Sequence, residues 1–223
     1  MWMEFPFDST VAVAHRGAHG EGRPENSLAA VERTAEIGAR AVEFDVVALR
    51  DGRLVVSHDE PTGERAESLP DMEQFLRVVA GSDMILNLDW KRRGGEERAC
   101  GMLRRYGLLE RTLVSSTDRR VIARFKQEAP GVATGISLAQ RRTSAAEAAR
   151  EVSRVVRESR ADAAMLEYRG ASEEMVRVLR GAGVGVFLWT APDQETYSEL
   201  ASLEPDGIAT DAIEQQLDPQ HRL

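Results

Sequence analysis

Short apolar runs alternate with stretches of helical spacing along nearly the whole chain, and that alternation limits the fold more than any single residue does. Residues 11–15, 41–47, 84–89, 112–116, 133–138, 163–167, 184–189 and 206–211 read as strands. Helical stretches follow them at 72–79, 96–106, 119–128, 144–160, 173–182 and 194–201. The first helix starts after Asn26 or Ser27, either of which can cap it, and carries Leu28, Val31, Ala35 and Gly38 at helical spacing. One further run, 54–58, returns as a short strand after the Asp51-Gly52 turn signal. Counting the main repeats gives eight strand–helix units, an α/β pattern that predicts parallel strands closed into a (β/α)₈ TIM barrel. An open doubly wound sheet is the alternative. No linker or low-complexity segment divides residues 1–223, so a single domain is expected.

Composition excludes several function classes. A net charge of −8 argues against a nucleic-acid surface, which needs a basic patch. No window approaches the ~18 apolar residues of a membrane span, and the first eight residues lack the basic-then-apolar layout of a secretion signal. Cys100 is the sole cysteine, which fits a reducing cytoplasm; its neighbours make it a packed helix residue rather than a nucleophile. A cytoplasmic location is therefore expected.

Unusual polar residues gather at strand ends, where barrels of this kind keep their working groups. His15 and Arg16 follow the first strand, Glu43 and Asp45 share one face of the second, and His58 closes the short return strand. Asn87, Asp89 and Lys91 alternate, so all three face the axis while Leu86, Leu88 and Trp90 face outward. Carboxylates side by side on a buried strand need a proton or a cation. Glu43, Asp45 and Asp89 are hard oxygen donors, suited to one divalent cation, Mg²⁺ or Ca²⁺, and poorly to zinc or copper. Arg16 and Lys91 would neutralise a phosphate, and His15 and His58 would trade protons near neutral pH. Trp189 is either a core residue or an apolar platform for the substrate.

Other polar residues have plainer readings. His19 belongs to a loop or rim, and His221 to a solvated tail. Glu25 and Asn26 either take part or simply organise the loop and helix start. Ser115 and Ser116 have no nearby base, and mixed-charge runs such as Lys91-Arg92-Arg93 and Arg141-Arg142 are solvated faces.

At these residues the sequence resembles the glycerophosphodiester phosphodiesterases, within the wider phosphatidylinositol phospholipase C-like superfamily. The resemblance rests on His15-Arg16-Gly17, Pro24-Glu25-Asn26, Glu43-Phe44-Asp45, Asp51-Gly52 and His58-Asp59, in that order. Asp89-Trp90-Lys91, Trp189-Thr190 and the run from Asp206 to Asp211 extend it towards the C-terminus. It implies a TIM barrel, a divalent cation, and hydrolysis of a small phosphodiester to sn-glycerol 3-phosphate and an alcohol. It also implies His15 and His58 as the acid–base pair, Glu43 and Asp45 as metal ligands, and Arg16 and Lys91 as phosphate contacts. Two departures stand out. Position 89 is Asp where the family usually has Glu, a feature shared with sphingomyelinase D-type phospholipases. The small subdomain that usually follows His-Asp is shortened or absent, since only residues 60–68 separate Asp59 from the next helix signal. The alternatives are therefore a lysophospholipase D or sphingomyelinase D-like activity, and a non-catalytic barrel that binds phosphodiesters.

Overall fold

The computed structural model describes residues 3–5, 7–20, 22–139 and 144–217, so His221 and the Arg141-Arg142 pair lie outside the described residues. Nine strands run in chain order among the described residues: β1 Val11–Ala14, β2 Ala41–Ala48, β3 Leu54–Val56, β4 Ile85–Trp90, β5 Thr112–Ser116, β6 Ala133–Leu138, β7 Ala163–Glu167, β8 Gly185–Ala191 and β9 Gly207–Thr210. The helices between and after them are α1 Leu28–Glu36, α2 Glu64–Ser68, α3 Met72–Ala80, α4 Glu96–Arg105, α5 Arg119–Glu128, α6 Ala145–Ser159, α7 Glu173–Gly181, α8 Gln194–Ala201 and α9 Ile213–Leu217. Eight strands are parallel, and β1 pairs with both β2 and β9, which closes the barrel. The doubly wound alternative is excluded by that closure.

β3 is the exception. It pairs antiparallel with the far end of β2, Val46 opposite Val56 and Ala48 opposite Leu54, beyond a turn in which Gly52 takes φ +87°. This hairpin lets the chain return to the mouth of the barrel at Ser57, whose N–H donates to the Asp45 carbonyl at 3.1 Å. Between β3 and α3 stands the short α2, which the sequence pattern did not signal. Ser27 caps α1 and Ser144 caps α6 with a reciprocal Glu147 capping box, while Arg160 closes α6 in the left-handed region.

Strand alternation sorts the core into two parts. Outward-facing Val42, Phe44, Val46, Leu86, Leu88 and Trp90 are buried against helices, with Phe44 on Phe75 and Trp90 on Phe125 at 5.0 Å between ring centres. Near the base of the strands the inward-facing set includes small residues such as Ala41, Ala133, Ala163, Gly185 and Gly207, and an aromatic plug packs among them. Phe5 and Phe7 of the N-terminal segment pack with each other and edge-on against Phe187. A Cβ at Gly185 would lie 2.7 Å from the Phe5 ring, and one at Gly207 2.5 Å from Phe187, so the plug needs glycine in both strands. No described helix is long and apolar enough to cross a membrane.

Candidate active site

The plug leaves the opposite end of the barrel open. There a cavity of about 270 Å³ is lined by His15, Arg16, Glu43, Asp45, His58, Asn87, Asp89, Lys91 and Trp189, so all eight of the predicted site residues reach one space. Met165, Phe187 and Leu188 complete an apolar wall.

The turn after β1 positions the first group. Arg16 sits at φ 55°, a left-handed conformation unfavourable for a side chain with a Cβ. That conformation aims its N–H at Glu43 Oε2, 2.8 Å away. Gly17 follows at φ +81°, where a Cβ would come within 2.8 Å of the Ala30 backbone, so α1 packs directly on the turn. The Arg16 guanidinium meets Glu25 at 2.7 Å through Nη1, and its Nε lies 3.1 Å from Asp45 Oδ2, at ion-pair distance but off the line of a hydrogen bond.

Asp45 is the hub of the carboxylates. Asn26, also left-handed at φ 55°, donates from Nδ2 to Asp45 Oδ2 at 2.7 Å and accepts the Asp45 N–H at 3.0 Å. Lys91 Nζ lies 2.6 Å from Asp45 Oδ1 and also reaches Asp89 Oδ2, while Ser115 Oγ donates to Asp89 Oδ1 at 3.0 Å. Glu43, Asp45 and Asp89 each present an oxygen within 4.8 Å of the others, and these three could hold a metal ion. Two carboxyls on one strand face thus end up with opposite character. Burial, then Asp45 and Asp89, push the Glu43 carboxyl well above its ordinary range, outweighing the Arg16 N–H and the Lys91 charge, which lower it. Burial also pushes Asp45 up, but Lys91, Asn26 and Arg16 outweigh it and bring that carboxyl below its ordinary range. Burial pulls Lys91 down, yet Asp89 and Asp45 raise it overall, so it stays charged.

The two histidines are held differently. His15 follows β1, and its Nδ1 lies 2.7 Å from Asp211 Oδ1 at the end of β9, while its N–H donates to the Thr210 carbonyl. His58 arrives on the β2–β3 hairpin, two residues past β3; it is 48% exposed and its Nδ1 meets the neighbouring Asp59 at 2.9 Å. An Arg92–Glu60 ion pair ties the loop after His58 to the end of β4.

Asp211 is the residue that motif reading left without a role. It takes both His15 and His19, whose Nε2 lies 3.1 Å from the same Oδ1. Burial pushes Asp211 up, but the two imidazoles overcome this and hold it well below the ordinary carboxylate range. Its hydrogen bond in turn raises the His19 pKa. His19, expected in a loop or at the rim, meets Asp211 there. Asn26, which the sequence left between taking part in the site and organising the helix start, takes part through its amide on Asp45. Ser116 bonds the Trp90 carbonyl, and Cys100 is buried with its thiol pushed up to about 11 by burial, which leaves it unreactive.

The Glycerophosphoryl diester phosphodiesterase family matches this chain over residues 15–92 and 94–215. The chain belongs to that family. A glycerophosphodiester phosphodiesterase of Caldanaerobacter subterraneus subsp. tengcongensis is 26% identical, the match covering 91% of this chain and 94% of the relative. A probable glycerophosphodiester phosphodiesterase 2 of Mycobacterium tuberculosis is 27% identical over 90% of this chain and 87% of its own. Among solved structures, a phosphodiesterase of Oleispira antarctica in complex with the product sn-glycerol-3-phosphate aligns with a TM-score of 0.76 and 20% identity, covering 93% of this chain and 95% of that one. Its fold agrees with the barrel described here. Within this family, the mouth of the barrel is where the residues of the His-Arg-Gly, Glu-x-Asp and His-Asp motifs of this chain meet.

Proposed function

We propose that this chain hydrolyses glycerophosphodiesters to sn-glycerol 3-phosphate and an alcohol, with His15 and His58 as the acid–base pair. The carrying observation is the convergence of both histidines, three carboxylates and two cationic side chains on one cavity at the C-terminal end of the barrel. Glu43, Asp45 and Asp89 would hold one divalent cation, Mg²⁺ or Ca²⁺; their donor set suits a hard ion, which when bound supplies positive charge to phosphate oxygens.

The chain's own groups do the rest. Arg16 and Lys91 meet charge that develops on the phosphate, Arg16 from a guanidinium already braced by Glu25. The contact with Asp211 fixes the His15 ring through Nδ1 and leaves Nε2 to exchange a proton. One imidazole accepts the proton of the attacking oxygen and the other returns a proton to the departing alkoxide, so no net charge accumulates on the pair. Two buried wall atoms, Asn87 Oδ1 and Trp189 Nε1, have no hydrogen-bond partner among the described residues. A glycerol hydroxyl both donates and accepts, which suits such a pair.

The scarcity of exposed apolar side chains among the described residues favours this reading over a lysolipid substrate. Among the described residues the one exposed large hydrophobic side chain is Val178, on α7, so those residues present no apolar rim on which a lipid tail would lie. Turnover is the test. Glycerophosphocholine, glycerophosphoethanolamine, glycerophosphoinositol and a lysophospholipid are offered with Mg²⁺, with Ca²⁺ and with chelator. Release of glycerol 3-phosphate that needs the cation and disappears in His15→Ala is expected. Full turnover after exhaustive chelation, or none on any substrate with cation bound, overturns the reading.

A further inference from the structure

We propose that His15, His19 and Asp211 form a second cation site, of nitrogen-rich character suited to Zn²⁺, and that filling it withdraws His15 from proton exchange. The existence of the site stands on the geometry below; its effect on turnover rests on the function proposed above.

One ligand atom from each of the three side chains lies within 4.8 Å of the other two. Asp211 Oδ1 is 2.7 Å from His15 Nδ1 and 3.1 Å from His19 Nε2. A tetrahedral zinc with bonds near 2 Å sets its donors roughly 3.3 Å apart. The Asp211 oxygen therefore has to open from each of the two nitrogens by only about half an ångström to accept it. All three side chains are partly exposed, at 19%, 23% and 33%, which gives an ion access and leaves its fourth position to water.

The frame around these donors is already braced. The β1–α1 loop is pinned by the Ala18 N–H on the Ala30 carbonyl and on Thr34 Oγ1, and by a bridge between Gly20 and Arg23. The β9 end is tied to the same loop and to α1 by Glu214, which pairs with both Arg23 and Arg33. Little ordering is then left for an ion to impose. Donor chemistry separates the two sites. Three carboxylate oxygens suit a hard cation, whereas two imidazoles and one carboxylate suit Zn²⁺. His19 does not line the cavity, so the proposed reaction gives its ring no task. An ion on His15 Nδ1 would compete with the Asp211 hydrogen bond that orients the ring, and would make the imidazole a poor proton acceptor.

The experiment uses the full chain with Mg²⁺ in excess. Zn²⁺ is added while the histidine ring signals are followed by NMR, and Co²⁺ is added in parallel for its visible absorption in a low-coordinate nitrogen and oxygen site. The rings of His15 and His19 are expected to shift together, and turnover to fall as they do. In His19→Gln an amide N–H still serves Asp211 but the imidazole is gone. That variant is expected to keep its Mg²⁺-supported turnover and to need at least ~10-fold more Zn²⁺ for the same suppression. Unmoved His15 and His19 signals would mean a hydrogen-bonded trio and nothing more. Equal zinc sensitivity in wild type and His19→Gln, relieved by more Mg²⁺, would put the zinc on Glu43, Asp45 and Asp89 instead. Either result overturns the proposal. Should no phosphodiester turn over at all, the NMR and Co²⁺ readings still decide whether the site exists.

Discussion

The inside of the barrel and the shell around it are made from the same strands, one residue out of phase, and they carry opposite loads. On β2 and β4 the outward set Val42, Phe44, Val46, Leu86, Leu88 and Trp90 is buried against helices. The inward set on the same strands includes Glu43, Asp45, Asn87 and Asp89. Burial of charge there costs free energy that hydrogen bonds and ion pairs only partly offset. The plug of Phe5, Phe7 and Phe187 makes the lower interior apolar, while the groups of the candidate site line the mouth. Stability therefore resides in the shell and reactivity in the upper interior, so the two should separate under mutation.

The largest expected effect is on the shell. Phe75 is fully buried on α3 against Phe44, and Phe75→Ala should lower stability by about 3–5 kcal/mol. Denaturant unfolding would show it, and the folded fraction should keep its turnover per molecule. Turnover falling ahead of the folded fraction would break the separation. Next come His15→Ala and His58→Ala, each expected to cost at least ~10² in rate, equivalent to about 2.7 kcal/mol of barrier. His58 is half exposed, so its removal should leave unfolding within about 0.5 kcal/mol of wild type. Near-normal rates in either variant would remove that ring from the mechanism.

A pH scan sharpens the same contrast. The Glu43 carboxyl is raised in the folded state, so the folded chain holds its proton to higher pH than the unfolded chain does. Without a divalent cation, stability should therefore fall as pH rises above about 4.5 towards the raised value, by at most ~1.4 kcal/mol per pH unit for this one group. Melting temperatures with chelator should show that fall, and Mg²⁺ or Ca²⁺ should flatten it by compensating the ionised form. The smallest effect belongs to Asp211→Asn, which leaves His15 in place and removes its anionic partner. A loss of roughly tenfold in rate is expected. The same variant removes the carboxylate charge that helps raise His19, so that ring should titrate at lower pH by NMR.

Much of this was legible before any tertiary contact. Alternation along β4 placed Asn87, Asp89 and Lys91 on the axis side, and the turn signal at Asp51-Gly52 anticipated the hairpin that carries His58 back. The short α2 escaped notice because five residues, Glu64–Ser68, carry no amphipathic repeat. Lys91 and Arg16 were read as phosphate contacts; the fold also places both against Asp45, a pairing that depends on how neighbouring strands register. Asp211 lies 196 residues from His15, and no local pattern links them.

Which side of a strand a residue faces is a property of one short segment, because pleating repeats every two residues whatever lies beside it. The inward set and the order of the main strands and helices were therefore determined by the sequence alone. Which inward residues touch depends on parallel register and on the closure of β1 onto β9, and these are settled only when every strand has found its neighbours. That closure, and no local feature of the chain, puts Asp211 beside the two histidines.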